Sequence, residues 1–283
     1  MSAAALVVVK CGGNPAVDAD AICADVADLV RAGRSVLLVH GGSGAIADLA
    51  DRLGVPHRTL VAPDGVTSRY TDPATMEVVT LALAGGVKPR LVAGLSRLGV
   101  PAVGLTGLDG GMLRARRKSA VRAVVNGRTT LVRDNLSGRL GRVRTALPQT
   151  LLCRGFVPVV SPPAIDEHDQ PVNVDADRVA AALAAALGAS QLVLLTGASG
   201  VLADPADEGS LLRTYEVPAT GAPGRFAGGG MALKLVAARE ALTGGVGSVR
   251  IADGRVSEPV RRALNGAGTV VRLSDMIPSL KGA

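Results

Sequence analysis

Ala4-Ala5-Leu6-Val7-Val8-Val9-Lys10-Cys11-Gly12-Gly13 is the stretch on which the reading of this chain turns. Leu6 to Val9 is an unbroken apolar run with no alternating polar residue, the pattern of a strand buried on both faces. An ammonium at the end of such a strand is costly unless it is paired or turned toward an anion. The glycine pair behind it lets the backbone turn tightly and brings bare N–H groups close to a ligand. A cation and exposed amides at one strand tip suggest a phosphate site. The alternative is a strand that surfaces in a solvated lysine.

The 283 residues suffice for one large domain or two ordinary ones. With two tyrosines, two phenylalanines and no tryptophan, the core must be aliphatic, and the composition suits helices packed on a sheet. Cys11, Cys23 and Cys153 lack metal-ligand spacing, and their odd number gives no disulfide framework, so no protein metal site is expected. The apolar start is short and broken by Lys10, and no later segment reads as membrane-spanning. The expectation is a cytoplasmic protein without membrane association. Charge is uneven. Between Arg114 and Arg144 stand ten basic residues and one acid, Asp134, a local +9 in a chain of net +7. The remainder is therefore net acidic, and the segment suggests an acidic partner meeting one surface or, alternatively, a merely solvated face.

Outward from Gly13, helical spacing runs from Asp18 to Ala32 and stops at Gly33. Ser35–Val39 is a second buried strand, followed by His40-Gly41-Gly42-Ser43-Gly44 and a helix to Leu53, again amides at a helix start. Gly42-x-Gly44-x-x-Ala47 mimics a dinucleotide fingerprint, but Asp64, near the ribose-acid spacing, reads as loop, and no Walker-type lysine motif occurs. Asp72 and Pro73 open a helix to Leu83, with a second from Lys88 to Leu98. Asn126-Gly127 between Val121–Val125 and Thr129–Val132 predicts a hairpin. Beyond Pro162-Pro163 strands and helices alternate to Leu273, with Lys234 placed in the first turn of a helix opened by Gly228-Gly229-Gly230. The whole is an α/β fold on a mainly parallel sheet, and the tail from Ser274 is expected to be loosely held.

Lys10 and Lys234 lie in glycine-rich settings in different halves, and Asp177 opens a helix between them. Phosphoryl transfer needs such groups, because its catalysis is mostly positioning and charge neutralisation. The alternatives are a surface lysine and an acid favoured by the helix dipole.

Five ordered segments, Val9-Lys10-Cys11-Gly12-Gly13, Val39-His40-Gly41-Gly42-Ser43, Arg69-Tyr70-Thr71-Asp72, Asn173-Val174-Asp175-Ala176-Asp177 and Gly230-Met231 with Lys234, resemble the amino acid kinase family, in its acetylglutamate kinase branch. The resemblance implies a three-layer sandwich and phosphorylation of a side-chain carboxylate by Mg-ATP. By it, residues 1–162 would form an acyl-acceptor lobe and 163–283 a nucleotide lobe on one continuous sheet, commonly in a homodimer. Lys10 and Lys234 would stabilise the transferring phosphoryl group and Asp177 would orient both. Gly12, Gly13 and Gly41 would cradle phosphate. Gly42, Ser43, Arg69 and Asn173 would bind the amino-acid part of the substrate.

Gly107-Leu108-Asp109-Gly110-Gly111, Asp134-Asn135-Leu136-Ser137-Gly138 and Asp177-Arg178 are similar to the carrier-protein-linked (LysW-type) aminoadipate kinases. That likeness implies aminoadipate or glutamate carried on a small acidic amino-group carrier protein, met by Arg116, Arg117, Lys118 and Arg122, in lysine or related biosynthesis. Gly197-Ala198 departs from the Asp or Asn followed by Val that the family usually carries there. The rival readings are a kinase for free N-acetylglutamate and a catalytically silent amino-acid or nucleotide sensor. Nucleic-acid binding ranks lowest, since no aromatic platform accompanies the basic segment.

Overall fold

β1 (Leu6–Cys11) is an inner strand of an eight-stranded sheet, in the order β14 (Thr214–Val217), β16 (Thr269–Leu273), β15 (Ser248–Asp253), β13 (Gln191–Thr196), β1, β2 (Ser35–His40), β10 (Val157–Ser161), β5 (Ala102–Thr106). All neighbours run parallel except β15 and β16. The computed structural model describes residues 5–14, 16–62, 67–125, 128–224 and 229–274. Asp64, the Asn126-Gly127 turn, Gly228 and the tail beyond Ser274 lie outside them.

Side chains alternate across β1, so Val8 joins one aliphatic cluster with Leu37, Val39, Leu192 and Leu194, and Val7 and Val9 join another with Val36, Leu38, Val193 and Leu195. The first cluster lies beneath α5 (Ala146–Cys153), α6 (Ala176–Ala186) and α7 (Gly229–Thr243). The second lies beneath α1 (Ala19–Arg31), α4 (Lys88–Arg97) and α8 (Pro259–Leu264). Three layers result, and helices on both faces explain why the strands are apolar throughout. Strands from before residue 162 fill the β1-to-β5 half of the sheet, and β13 to β16, which come after it, fill the other half.

β3 (Thr59–Val61) and β4 (Thr67–Arg69) pair antiparallel, as do β7 (Val121–Val125) and β8 (Arg128–Val132), the two arms of the expected hairpin. A small sheet joins β6 (Leu113–Arg117), β9 (Gly138–Val143), β11 (Ala164–Ile165) and β12 (Pro171–Val172). α2 (Ser43–Leu53) follows the second glycine turn.

Two expectations change. The helices read as Pro73–Leu83 and Lys88–Leu98 are one run: α3 (Pro73–Thr80), a π segment (Leu81–Val87) and α4. Pro89 donates no hydrogen bond to Gly85, and the widened π turn accommodates that gap without ending the helix. The run, Pro73–Arg97, has 25 residues and matches a membrane span in length and composition, which the sequence reading did not foresee. Part of its apolar face packs inside the protein, Met76, Val79 and Leu83 on Ile46 and Ala50, and Leu91 and Leu95 on the sheet, while Leu81 is exposed. Second, α7 begins at Gly229, which puts Lys234 in its second turn rather than its first.

Candidate functional site

β2 lies on one side of β1 and β13, reached much later in the chain, on the other, so the carboxyl ends of β1 and its neighbours bracket a topological switch point, where open α/β sheets bind ligands. Lys10 ends β1 there, on the α6 face. Asp175 caps α6, its side chain accepting from the Arg178 N–H at 3.0 Å, and this brings Asp177 inward in the first turn. Lys234 reaches the same carboxylate from α7, its Nζ donating to Asp177 Oδ2 at 2.8 Å. Lys10 Nζ lies 2.8 Å from Oδ1 as an ion pair without hydrogen-bond alignment. All three side chains are about nine-tenths buried or more.

The electrostatics follow from counting charge. Burial penalises the Asp177 carboxylate, but the two ammoniums outweigh it and hold its pKa at about 2. One carboxylate cannot compensate two buried lysines equally. For Lys10 burial is outweighed by Asp177, and its pKa rises; for Lys234 burial wins, and its pKa falls. Burial and the Asp177 charge together raise Asp175. Two ammoniums about one dedicated carboxylate suit an incoming anion.

The two glycine turns abut beside Lys10. The Gly13 carbonyl accepts from Ser43 Oγ at 2.8 Å and from the Gly44 N–H at 3.2 Å. A Cβ on Gly13 would stand 2.7 Å from the backbone nitrogens of both Gly42 and Ser43, so no other residue fits without moving the turns. His40 is fully buried, and burial lowers its pKa to about 4. Neutral, it donates from Nδ1 to the Gly41 carbonyl at 2.9 Å and leaves Nε2 without a hydrogen-bond partner among the described residues. Burial likewise lifts the Cys11 thiol to about 11, so it is no nucleophile at neutral pH.

A cavity of about 410 Å³ opens from this point. Lys10, Gly13, Gly41, Gly42, Ser43, Arg69 and Asn173 all line it. Gly12 does not; it faces the opposite side, against Leu195 and Val17. Asn173 is held between the Leu136 carbonyl and the Gly138 N–H, with Nδ2 donating to Thr71 Oγ1 at 3.3 Å. Arg58 stacks on Tyr70 at 4.4 Å and pairs with Asp72, which caps α3 by accepting from the Thr75 N–H at 2.8 Å. Tyr70 in turn donates to Asp134, so the Arg69 segment is tied down on both sides.

The four basic residues assigned to a partner surface separate. Lys118 lines the cavity, whereas Arg116, Arg117 and Arg122 stand outside it. Arg116 faces Arg139 across the β6–β9 pair, a repulsive juxtaposition that an anion relieves. Arg114 is already paired with Asp169, and Glu167 accepts from the Arg117 N–H at 2.8 Å, so acids from residues 167–169 offset part of the local +9. Sequence reading missed Asp175 as a half-buried acid beside the triad, and Arg178, which lines the cavity and forks onto Glu240. The Asp175-x-x-Arg178 spacing at a helix start was the available signal. Gly197, the departure noted above, packs on Asn14, whose Nδ2 would lie 2.8 Å from any added Cβ.

A "[LysW]-aminoadipate kinase" of Deinococcus radiodurans is 44% identical over 268 residues, covering 94% of this chain and 91% of the relative. An "Acetylglutamate kinase" of Pelotomaculum thermopropionicum is 34% identical over 274 residues, covering 94% and 91%. Among solved structures, smu.665 from Streptococcus mutans UA159 shares the fold, with a TM-score of 0.70 at 21% identity over 94% of this chain and 98% of that one. With the family model for the "Amino acid kinase family" matching residues 5–253, the chain belongs to the amino acid kinase family.

Proposed function

We propose that this chain transfers the γ-phosphoryl group of ATP to the side-chain carboxylate of 2-aminoadipate, or of glutamate, borne on a small acidic amino-group carrier protein. The product is an acyl phosphate in lysine or related amino-acid biosynthesis. The observation that carries the reading is the triad: Lys10 and Lys234, from opposite halves of the chain, close on one buried carboxylate beside two abutting glycine turns. The 44% identity to an aminoadipate kinase names the substrate class.

In this reading the acceptor carboxylate attacks phosphorus, the bond to the ADP oxygen breaks, and no proton moves, because a carboxylate is ionised at neutral pH. That suits a site whose histidine is held neutral and hydrogen-bonded to backbone. Lys10 and Lys234 neutralise charge on the group in transit, Asp177 positions them, and the amides of Gly13 and Gly41 hold phosphate oxygens, whereas Gly12 lies on the other side of the turn and has no part in it. Gly42, Ser43, Arg69 and Asn173 take the amino-acid part, with Arg69 forked onto its free carboxylate. Magnesium would arrive on the nucleotide phosphates: among the described residues no cluster of three His, Cys, Asp or Glu side chains is placed to hold a metal. Arg116, Arg117 and Arg122, outside the cavity mouth, meet the carrier, and Lys118 reaches its tethered group. The lobe division at residue 162 and the homodimer rest on the family resemblance, and the cytoplasmic setting rests on the sequence pattern.

The second reading, a kinase for free N-acetylglutamate, is favoured by the acetylglutamate kinase relative. Measuring kcat/KM for carrier-linked aminoadipate and for N-acetylglutamate on one preparation decides between them. We expect the carrier-linked substrate to win; preference for the free one would make the second reading right.

A further inference from the structure

The peptide joining Gly41 to Gly42 is the link in the second glycine turn with the most freedom to rotate. Neither flanking residue carries a Cβ, so the sterics that keep an ordinary peptide plane in one orientation are missing on both sides. Close packing restrains the turn as a body, since a Cβ on Gly42 would meet Leu83 Cδ2 at 2.7 Å, but it does not fix this one plane. In a trans peptide the carbonyl and the following N–H point opposite ways. Whatever holds the Gly41 carbonyl to one side of the turn therefore aims the Gly42 N–H to the other.

His40 holds it. The residue stands in register with Cys11, which belongs to the aliphatic cluster beneath α1 and α4, so its ring leaves β2 on the face opposite Lys10. The ring is fully buried there, with Nδ1 2.9 Å from the Gly41 carbonyl. A carbonyl only accepts, so the single proton of the neutral ring is on Nδ1. Burial, then the ammoniums of Lys88 on α4 and Lys10, oppose a second proton on Nε2. On the other side of the turn the Gly42 N–H has no acceptor among the described residues, and Gly42 lines the cavity of Lys10 and Arg69. α2 begins only at Ser43, so no helical bond claims that N–H.

We propose that His40 is a positioning residue: by holding the Gly41 carbonyl it stops the Gly41–Gly42 peptide from flipping and keeps the Gly42 N–H aimed at the acceptor substrate. A flipped peptide would offer an incoming carboxylate the negative end of a carbonyl instead of a donor. What the N–H meets rests on the kinase reading above; the lock itself is a property of the turn. A histidine kept only to fill space would need no donor at Nδ1.

One readout on the full chain needs no turnover. Long-range proton–nitrogen spectra resolve the protonation of each histidine ring, the chain has three histidines, and the signal lost in His40→Asn is that of His40. At neutral pH it should show a protonated Nδ1 and a bare Nε2. The second readout is kcat/KM for the acceptor. His40→Leu, which fills the space without a donor, should lower it about tenfold or more, as misplacement of a binding group requires. His40→Asn places an amide N–H near the former Nδ1 and should stay within about threefold of the parent, since one neutral hydrogen bond replaces another. Its buried amide should leave it no more stable to heat than His40→Leu. Activity and melting temperature should thus rank the two variants in opposite orders. An Nε2–H tautomer or a charged ring would overturn the lock. So would a parental kcat/KM in His40→Leu, or a His40→Asn no better than His40→Leu. Activity that follows melting temperature across the variants would make His40 a packing residue and overturn the proposal. A parent chain that forms acyl phosphate on neither acceptor would sink the kinase reading instead, and the ring spectra would still decide the lock.

Discussion

At the scale of single residues, three side chains set the chemistry, and their burial sets their protonation. Lys10→Ala and Lys234→Ala should each lower kcat about a hundredfold or more, since each removes a preorganised donor to developing charge. Trapping the acyl phosphate as hydroxamate measures the loss, and near-parental rates in both variants would remove the phosphoryl-transfer assignment. The pH dependence has a definite sign. Asp177, at about 2, stays ionised through the working range and contributes no acid limb near neutrality. Lys234 is lowered from 10.5 by burial, so its positive charge is lost as pH rises through that lowered value. The alkaline limb of kcat/KM, which reports the free enzyme, should therefore fall below 10.5. Lys234→Arg, charged at any accessible pH, should abolish that limb even if it turns over slowly. A limb unmoved by the arginine would assign it to another group.

Elements bring these residues to one point, and the tightest of their junctions is between the glycine turn after β1 and the start of α2. Gly13 carries the close approach, with backbone nitrogens 2.7 Å from where a side chain would begin. Backbone cannot step aside as a flexible side chain can. Gly13→Ala should therefore displace the turn and cost about a hundredfold in kcat/KM, the scale of a misplacement near one ångström. The melting temperature should change little by comparison, because the substitution touches neither aliphatic cluster. A normal kcat/KM in a folded Gly13→Ala protein would show that the turn does not need its present shape.

Over the whole molecule, charge is divided rather than uniform. The segment from Arg114 to Arg144 folds into two separate hairpin arms and one edge of the small sheet, with Lys118 at the cavity and Arg114 neutralised by Asp169. Arg116 and Arg122 stay exposed, as do Arg128, Arg133, Arg139, Arg142 and Arg144. Attraction to an acidic carrier through such exposed charges is screened over about 8 Å at physiological salt. Reaction with the carrier-linked substrate should weaken clearly as salt rises, and reversing Arg116, Arg117 and Arg122 to glutamate should impair it selectively. Reaction with a free acylated amino acid should respond less to both. Equal sensitivity of the two substrates would give these arginines some other use.

Much of this was legible in order along the chain. An apolar run with no alternation meant a strand covered on both sides, glycine after strand meant a ligand-facing turn, and Asp72-Pro73 meant a capped helix start. Such signals act between neighbours, so local propensity and periodicity carry them, and five short segments in one order carried the family. Convergence is not local. That Lys10, Asp177 and Lys234 share one carboxylate depends on β13 lying beside β1 and on α6 and α7 packing over the same face. No spacing in the chain encodes it. Nor could spacing place Lys118 in the cavity rather than with the arginines outside it, join two helices through a π turn, or pair Arg114 with Asp169. A cleft on the α1 and α4 face of the sheet likewise belongs wholly to the tertiary structure, because its walls come from three helices and two turns whose residues meet only once the sheet is covered.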